Sequence, residues 1–109
     1  MAAHRLCAVS ELPEGVARVF EAGGHRIAVA RSGRTVFALE DRCSHDDGEL
    51  GEGEVRGLSP EGGEIECPRH GARFEISTGR ATRMPAVAPV ETFPARIDGD
   101  VVVVDLPES

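Results

Sequence analysis

Two short stretches of this chain carry side chains that could hold a metal together. Cys43-Ser44-His45 has C-x-H spacing, and Cys67-Pro68-Arg69-His70-Gly71 has C-x-x-H spacing. A short loop bearing Gly or Pro can aim two such side chains at one ion. Two thiolates and two imidazoles suit zinc and an iron-sulfur cluster alike, because both accept sulfur and ring nitrogen. A disulfide between Cys43 and Cys67 would leave the two histidines unexplained. The third cysteine, Cys7, has no partner at ligand spacing and reads as a small hydrophobe packed on a first strand. Gly51-Glu52-Gly53 resembles the start of a phosphate-binding loop, but Arg56 occupies the place of the third glycine and no strand-helix-strand unit surrounds it. The acidic run around Asp46, Asp47 and Glu49 reads first as solvated surface.

The elements that must position these residues repeat at strand spacing. Residues 16–21, 26–30 and 35–39 are short runs rich in Val, Ile and Phe, separated by Gly23-Gly24 and Ser32-Gly33, and they predict a meander. Near the end, residues 95–97 and 101–106 flank Asp98-Gly99-Asp100, a strong hairpin signal. The run Val101-Val102-Val103-Val104 is apolar on both strand faces, which predicts a central strand covered on both sides. Between these halves, residues 46–64 are dominated by Gly and acid and predict an inserted loop system, with a turn at Ser59-Pro60-Glu61-Gly62-Gly63 that an extended hairpin could absorb. No segment has the stripe and caps of a long helix; a short one near residues 10–14 is the exception. The expectation is an all-β antiparallel barrel or sandwich.

Length and charge bound the function. With 109 residues the chain forms one domain with a modest core. A formal charge of -7 would repel nucleic acid and anionic lipid, so neither is expected as a partner. The first ten residues lack the apolar stretch of a secretion signal, and no run approaches a membrane span, so the expectation is a monomeric cytoplasmic protein. All twelve basic residues are Arg, and Lys, Asn, Gln, Tyr and Trp are absent, a bias that by itself says nothing about function.

C-x-H followed by C-P-x-H-G, then Phe74 and Ser77-Thr78-Gly79, resembles the Rieske iron-sulfur proteins, in particular the small Rieske ferredoxins that accompany non-haem iron oxygenases or cluster-assembly systems. Met84-Pro85-Ala86 is similar to the proline-bearing loop that shields the cluster in that family. The resemblance spans residues 37–104, with 21 residues between His45 and Cys67, more than in the compact ferredoxins. It implies a 2Fe-2S cluster with one iron held by Cys43 and Cys67 and the other by His45 and His70, and it implies close backbone approach at Gly48 and Gly71. It further implies a scaffold of residues 1–40 and 86–109 carrying a cluster-binding subdomain of residues 41–85.

The function implied is electron transfer, without catalysis of its own, from a ferredoxin reductase to an oxygenase or another redox acceptor. A mononuclear iron oxygenase would need two further His and a carboxylate, whereas only His4 and His25 remain and 39 residues follow His70. An accessory subunit, similar to the nitrite reductase small subunit or an iron-sulfur assembly partner, would carry the same ligands, and a structural zinc module is a further alternative. In high-potential Rieske proteins a Ser and a Tyr donate hydroxyl hydrogen bonds to cluster sulfur, and a disulfide joins the ligand loops. Here Ala72 and Arg69 stand at the Ser and Cys positions and Tyr is absent, so the resemblance implies a low potential.

Overall fold

The computed structural model describes residues 2–42, 49–69, 71–84 and 88–107. Its strands are β1 (Ala2–Ala8), β2 (Ala17–Ala22), β3 (His25–Ser32), β4 (Thr35–Glu40), β5 (Glu54–Ser59), β6 (Gly62–Glu66), β7 (Arg73–Glu75), β8 (Ala81–Arg83), β9 (Thr92–Phe93), β10 (Ala95–Asp98) and β11 (Val101–Leu106). They form three antiparallel sheets in the orders β1-β11-β10, β2-β3-β4-β9 and β5-β6-β7-β8. The expected meander is β2-β3-β4. Its first turn joins Ala22 to His25 through Gly23 and Gly24, whose φ values of 55° and 80° are the paired positive angles that a two-residue hairpin of type I′ demands. Helical structure among the described residues is limited to two single 3-10 turns, Val9–Glu11 and Leu50–Glu52. The first overlaps the start of the short helix expected at residues 10–14.

The β2-β3-β4-β9 sheet is the middle layer, and side-chain alternation on β3 shows why. Ile27, Ala28, Val29 and Ala30 are all buried. Ala28 and Ala30 enter one core with Leu39, Leu50, Ile65, Cys67, Ala72, Phe74, Ile76 and Val90. Ile27 and Val29 point the other way, into a second core with Leu12, Val36, Ala38, Phe93, Val102, Val104 and Leu106. Successive residues of a strand face opposite sides, so a continuous apolar run places a core on each. The first core joins the middle sheet to β5-β6-β7-β8, and the second joins it to β1-β11-β10.

As expected, β11 is the central strand of its sheet, and Val102, Val103 and Val104 are buried. The cover on its outer face comes from neighbouring strands. Val103 lies opposite Arg5 on β1 and Arg96 on β10, whose aliphatic stems can shield it while their guanidinium groups stay in water.

The chain leaves the middle sheet after Glu40 and returns at Thr92 beside the strand it left, with Leu39 opposite Thr92 and the Glu40 N-H donating to the Glu91 carbonyl at 2.9 Å. Everything in the third sheet is inserted between those points. Here the loop expectation for residues 46–64 is corrected over residues 54–64. Residues 54–59 and 62–66 are a β-hairpin turning at Pro60-Glu61, and a register shift between Arg56 and Ser59 accommodates Gly57. The strand signal was masked because β5 buries little: Val55 alternates with charged Glu54 and Arg56, which pair across to Glu66 and Glu64.

Candidate metal centre

Cys67 immediately follows β6, at the end of the Ile65 to Glu66 run. Its side chain is 1% exposed and packs with Leu50, Ile65, Ala72 and Phe74. The loop after it is closed on itself. The Cys67 N-H donates to the Ala72 carbonyl at 2.7 Å, and the Gly71 N-H donates back to the Cys67 carbonyl at 3.1 Å. Gly71 has φ of 76°, which a residue with a side chain adopts only at a cost, so glycine lets this six-residue reversal close. Pro68 and Arg69 at its tip are exposed. The thiol thus stands at the boundary between an apolar core and an exposed loop, where a soft thiolate donor suits an iron-sulfur centre or zinc.

Cys43, His45 and His70 lie outside the described residues, as do Asp46, Asp47, Gly48, Pro85 and Ala86. Among the described residues no cluster of three His, Cys, Asp or Glu side chains is arranged to hold a metal. Met84 precedes the Pro85-Ala86 pair and is 75% exposed, an apolar side chain left in solvent. Cys7 packs against the second core, on the far side of the middle sheet from the core that holds Cys67, and no disulfide joins the two. Burial, and secondarily the charge of Glu11, pushes the Cys7 thiol above its ordinary pKa, which keeps it protonated and unreactive at neutral pH.

Two groups of residues frame this region that sequence spacing did not single out. The first is Asp41, just after β4 and two positions before Cys43. Its side chain is completely buried. Oδ2 accepts from Arg26 Nε at 2.7 Å, and Oδ1 accepts from the Gly51 N-H at 2.5 Å. Arg26 also reaches Glu49 Oε2 at 3.5 Å and Glu21 Oε1 at 3.3 Å. The available signal was an acid closing a buried strand, although its partner on β3 is fifteen residues away.

The second is a row of charges across the third sheet next to Cys67. Glu54, Glu66, Arg73 and Arg83 are cross-strand neighbours in that order. Arg73 Nε donates to Glu66 Oε1 at 2.8 Å, and Arg56 Nε lies 3.6 Å from the same oxygen. The Arg73 hydrogen bond holds the Glu66 carboxyl below its ordinary pKa. Behind the row, Glu75 Oε1 accepts from Ser77 Oγ at 2.7 Å, from the Ser77 N-H at 3.2 Å and from the Gly63 N-H at 3.3 Å. Burial alone would raise the Glu75 pKa, but these donors and the charge of Arg80 outweigh it and lower it.

Comparison with known proteins agrees with this architecture. The family model described as the Rieske [2Fe-2S] domain matches residues 2–94. The ferredoxin component of biphenyl 2,3-dioxygenase from Rhodococcus jostii RHA1 is 39% identical over 106 residues, covering 97% of this chain and 94% of that protein. Among solved structures, the ferredoxin of carbazole 1,9a-dioxygenase from Nocardioides aromaticivorans IC177 superposes with a TM-score of 0.87 at 34% identity, covering 95% of this chain and 97% of that one. A chain from the complex of reduced oxygenase and oxidised ferredoxin in carbazole 1,9a-dioxygenase gives a TM-score of 0.82 at 32% identity, covering 94% and 91%. A match over most of the chain, with relatives of nearly equal length, shows that the chain belongs to the Rieske [2Fe-2S] domain family, whose cofactor is a 2Fe-2S cluster.

Proposed function

We propose that this protein is a one-electron carrier that takes electrons from a ferredoxin reductase and delivers them to a non-haem iron oxygenase. The observation that carries this reading is coverage. Relatives described as ferredoxin components of dioxygenases match nearly their whole length to nearly the whole of this chain. By their match to the family's C-x-H and C-P-x-H-G motifs, Cys43 and Cys67 would be thiolate ligands to one iron and His45 and His70 imidazole ligands to the other. When bound, the cluster supplies a site that accepts and releases one electron.

The chain's own residues serve that site in three ways. The closed loop that begins at Cys67 has an exposed tip at Pro68 and Arg69, which suits electron transfer to a docked partner. The core formed by Leu50, Ile65, Ala72 and Phe74 excludes water from the Cys67 side. We read residues 41–85, which contain the inserted sheet, as the cluster-binding subdomain, carried by a scaffold of residues 1–40 and 86–109. A net charge of -7 favours basic docking faces on the partners. No helix among the described residues is long and apolar enough to cross a membrane, and we place the carrier in the cytoplasm as a monomer.

The test is spectroscopic and functional together. Purified protein should be red-brown, should contain two irons and two acid-labile sulfides, and should give a reduced-state EPR signal with the low average g of mixed His and Cys ligation. It should support turnover when combined with a reductase and an oxygenase from the same source. Colourless protein with one zinc and no sulfide would overturn the assignment. A cluster that no such pair can reduce and reoxidise would favour the accessory-subunit reading.

A further inference from the structure

We infer that Arg26 is a positioning residue for the first ligand loop, clamping both ends of residues 42–49 through Asp41 and Glu49. The inference rests on the assignment of Cys43 and His45 as ligands and concerns how the chain holds them. Asp41 precedes Cys43 by two positions, and Glu49 follows His45 by four. The guanidinium donates through Nε to Asp41 and lies within ion-pair distance of Glu49 through a terminal nitrogen. The Arg26 carbonyl also accepts from the Asp41 N-H at 3.0 Å, so β3 grips this residue by backbone and side chain at once.

The Asp41 carboxylate extends the clamp. Its second oxygen takes the N-H of Gly51, ten residues on, and so ties the start of the segment directly to its end. Gly51 is closely packed, with no room for a side chain. A Cβ at that position would collide with Val19 Cγ2 on β2 and stand 3.1 Å from Asp41 Oδ1. The neighbouring Leu50 is fully buried in the same core as Cys67. The segment that contains two ligands therefore enters and leaves at points pinned to the middle sheet.

A surface pair would not serve. Arg96 with Asp105, for example, joins two half-exposed groups on adjacent strands, and such pairs constrain little, as would the half-exposed Arg26–Glu49 arm without the Asp41 arm beside it. Asp41, by contrast, is wholly withdrawn from water, and a buried charge returns little net stability relative to apolar packing. Its use here is specificity. A planar guanidinium fork fixes the direction of each partner in a way that a lysine ammonium does not. Partners that orient metal ligands from outside the coordination sphere typically change metal retention by about 10- to 100-fold when removed.

The experiment compares wild-type holoprotein with Arg26→Met, Arg26→Lys and Glu49→Gln. It measures the rate at which excess iron chelator bleaches the visible absorption, the reduced-state EPR line shape, and the unfolding temperature by far-UV circular dichroism. Arg26→Met should bleach about tenfold faster or more and show broadened EPR lines from several ligand geometries. Arg26→Lys, which keeps the charge but loses the fork, should recover a narrower signal and an intermediate rate. If Arg26→Met does not accumulate, faster bleaching in both Arg26→Lys and Glu49→Gln supports the clamp, and wild-type rates in both overturn it. A lower unfolding temperature with unchanged bleaching and EPR overturns it too, since that is the signature of an ordinary salt bridge. A cluster-free wild type would remove the ligand assignment and the clamp with it, whereas a red wild type with unaffected variants removes the clamp alone.

Discussion

Gly53 lies directly against the carbonyl oxygen of Glu66, so close that a Cβ on residue 53 would overlap it. The contact joins the exit of the first ligand segment to the residue just before Cys67, and it brings two stretches more than a dozen residues apart into register. Both partners at the contact are backbone, so neither can swing aside. Gly53→Ala must displace the 3-10 turn at Leu50–Glu52 from β6, and overpacking of this kind costs about 1 to 3 kcal/mol. Urea unfolding of the apoprotein should show that loss, and the holoprotein should release its cluster faster. Unchanged stability would mean that the turn can move without consequence for the site.

Glu75 makes acid stability in the third sheet predictable. Its pKa is lowered from an ordinary value of 4.5, because donors from Ser77 and Gly63 and the charge of Arg80 outweigh its burial. A carboxyl whose folded-state pKa is depressed adds stability above its unfolded-state pKa and loses it as pH falls through the folded value. Glu75→Gln should therefore be less stable than wild type at pH 7 by about 1 kcal/mol, the difference between a charged and a neutral acceptor. The two should converge as pH drops below about 4. Thermal unfolding at a series of pH values checks this; a gap that stays constant from pH 7 to pH 3 would show that the charge is irrelevant.

Ala72 is fully buried beside Cys67, and its carbonyl accepts the Cys67 N-H. With no hydroxyl at that position and no Tyr in the chain, the potential should fall near the low end of the Rieske range, at about -150 mV. Ala72→Ser adds a hydroxyl beside the Cys67 sulfur, a weak acceptor, among Leu50, Ile65 and Phe74, whose side chains offer none. In the apoprotein its burial should cost about 1 to 3 kcal/mol. A hydrogen bond to the more negative reduced state should raise the potential by at most about 60 to 130 mV. Voltammetry decides between these: a native potential above roughly +100 mV, or no rise on adding the hydroxyl, would contradict the argument.

Docking should depend on acid near the cluster. Glu49 is already engaged by Arg26, so Asp46 and Asp47 are the better candidates for steering. Replacing both with Asn should slow electron transfer to a basic partner several-fold at low salt and have little effect at about 0.5 M salt, where screening removes long-range attraction. Stopped-flow rates across a salt series provide the measurement. Equal rates at low salt would identify these residues as ordinary solvated surface.

The amino-acid sequence alone determined the strand-rich class, the β2-β3-β4 meander, the closing hairpin and the pairing of one Cys with one His in each of two stretches. These are local properties: side-chain period, turn residues and ligand spacing are all decided within a few positions. It suggested an extended hairpin around the turn at residues 59–63 but did not disclose its strands at residues 54–59 and 62–66, because β5 carries charge on its open positions and buries only part of Val55. Nor did it disclose the middle sheet with a core on either side, although the unbroken Ile27-Ala28-Val29-Ala30 run is its trace. Only the tertiary structure brought Arg26 to Asp41 and Gly53 to Glu66. Those meetings depend on strand order and register across the whole chain, and Arg26 at the start of its strand is indistinguishable from any solvated arginine until its partners are folded against it.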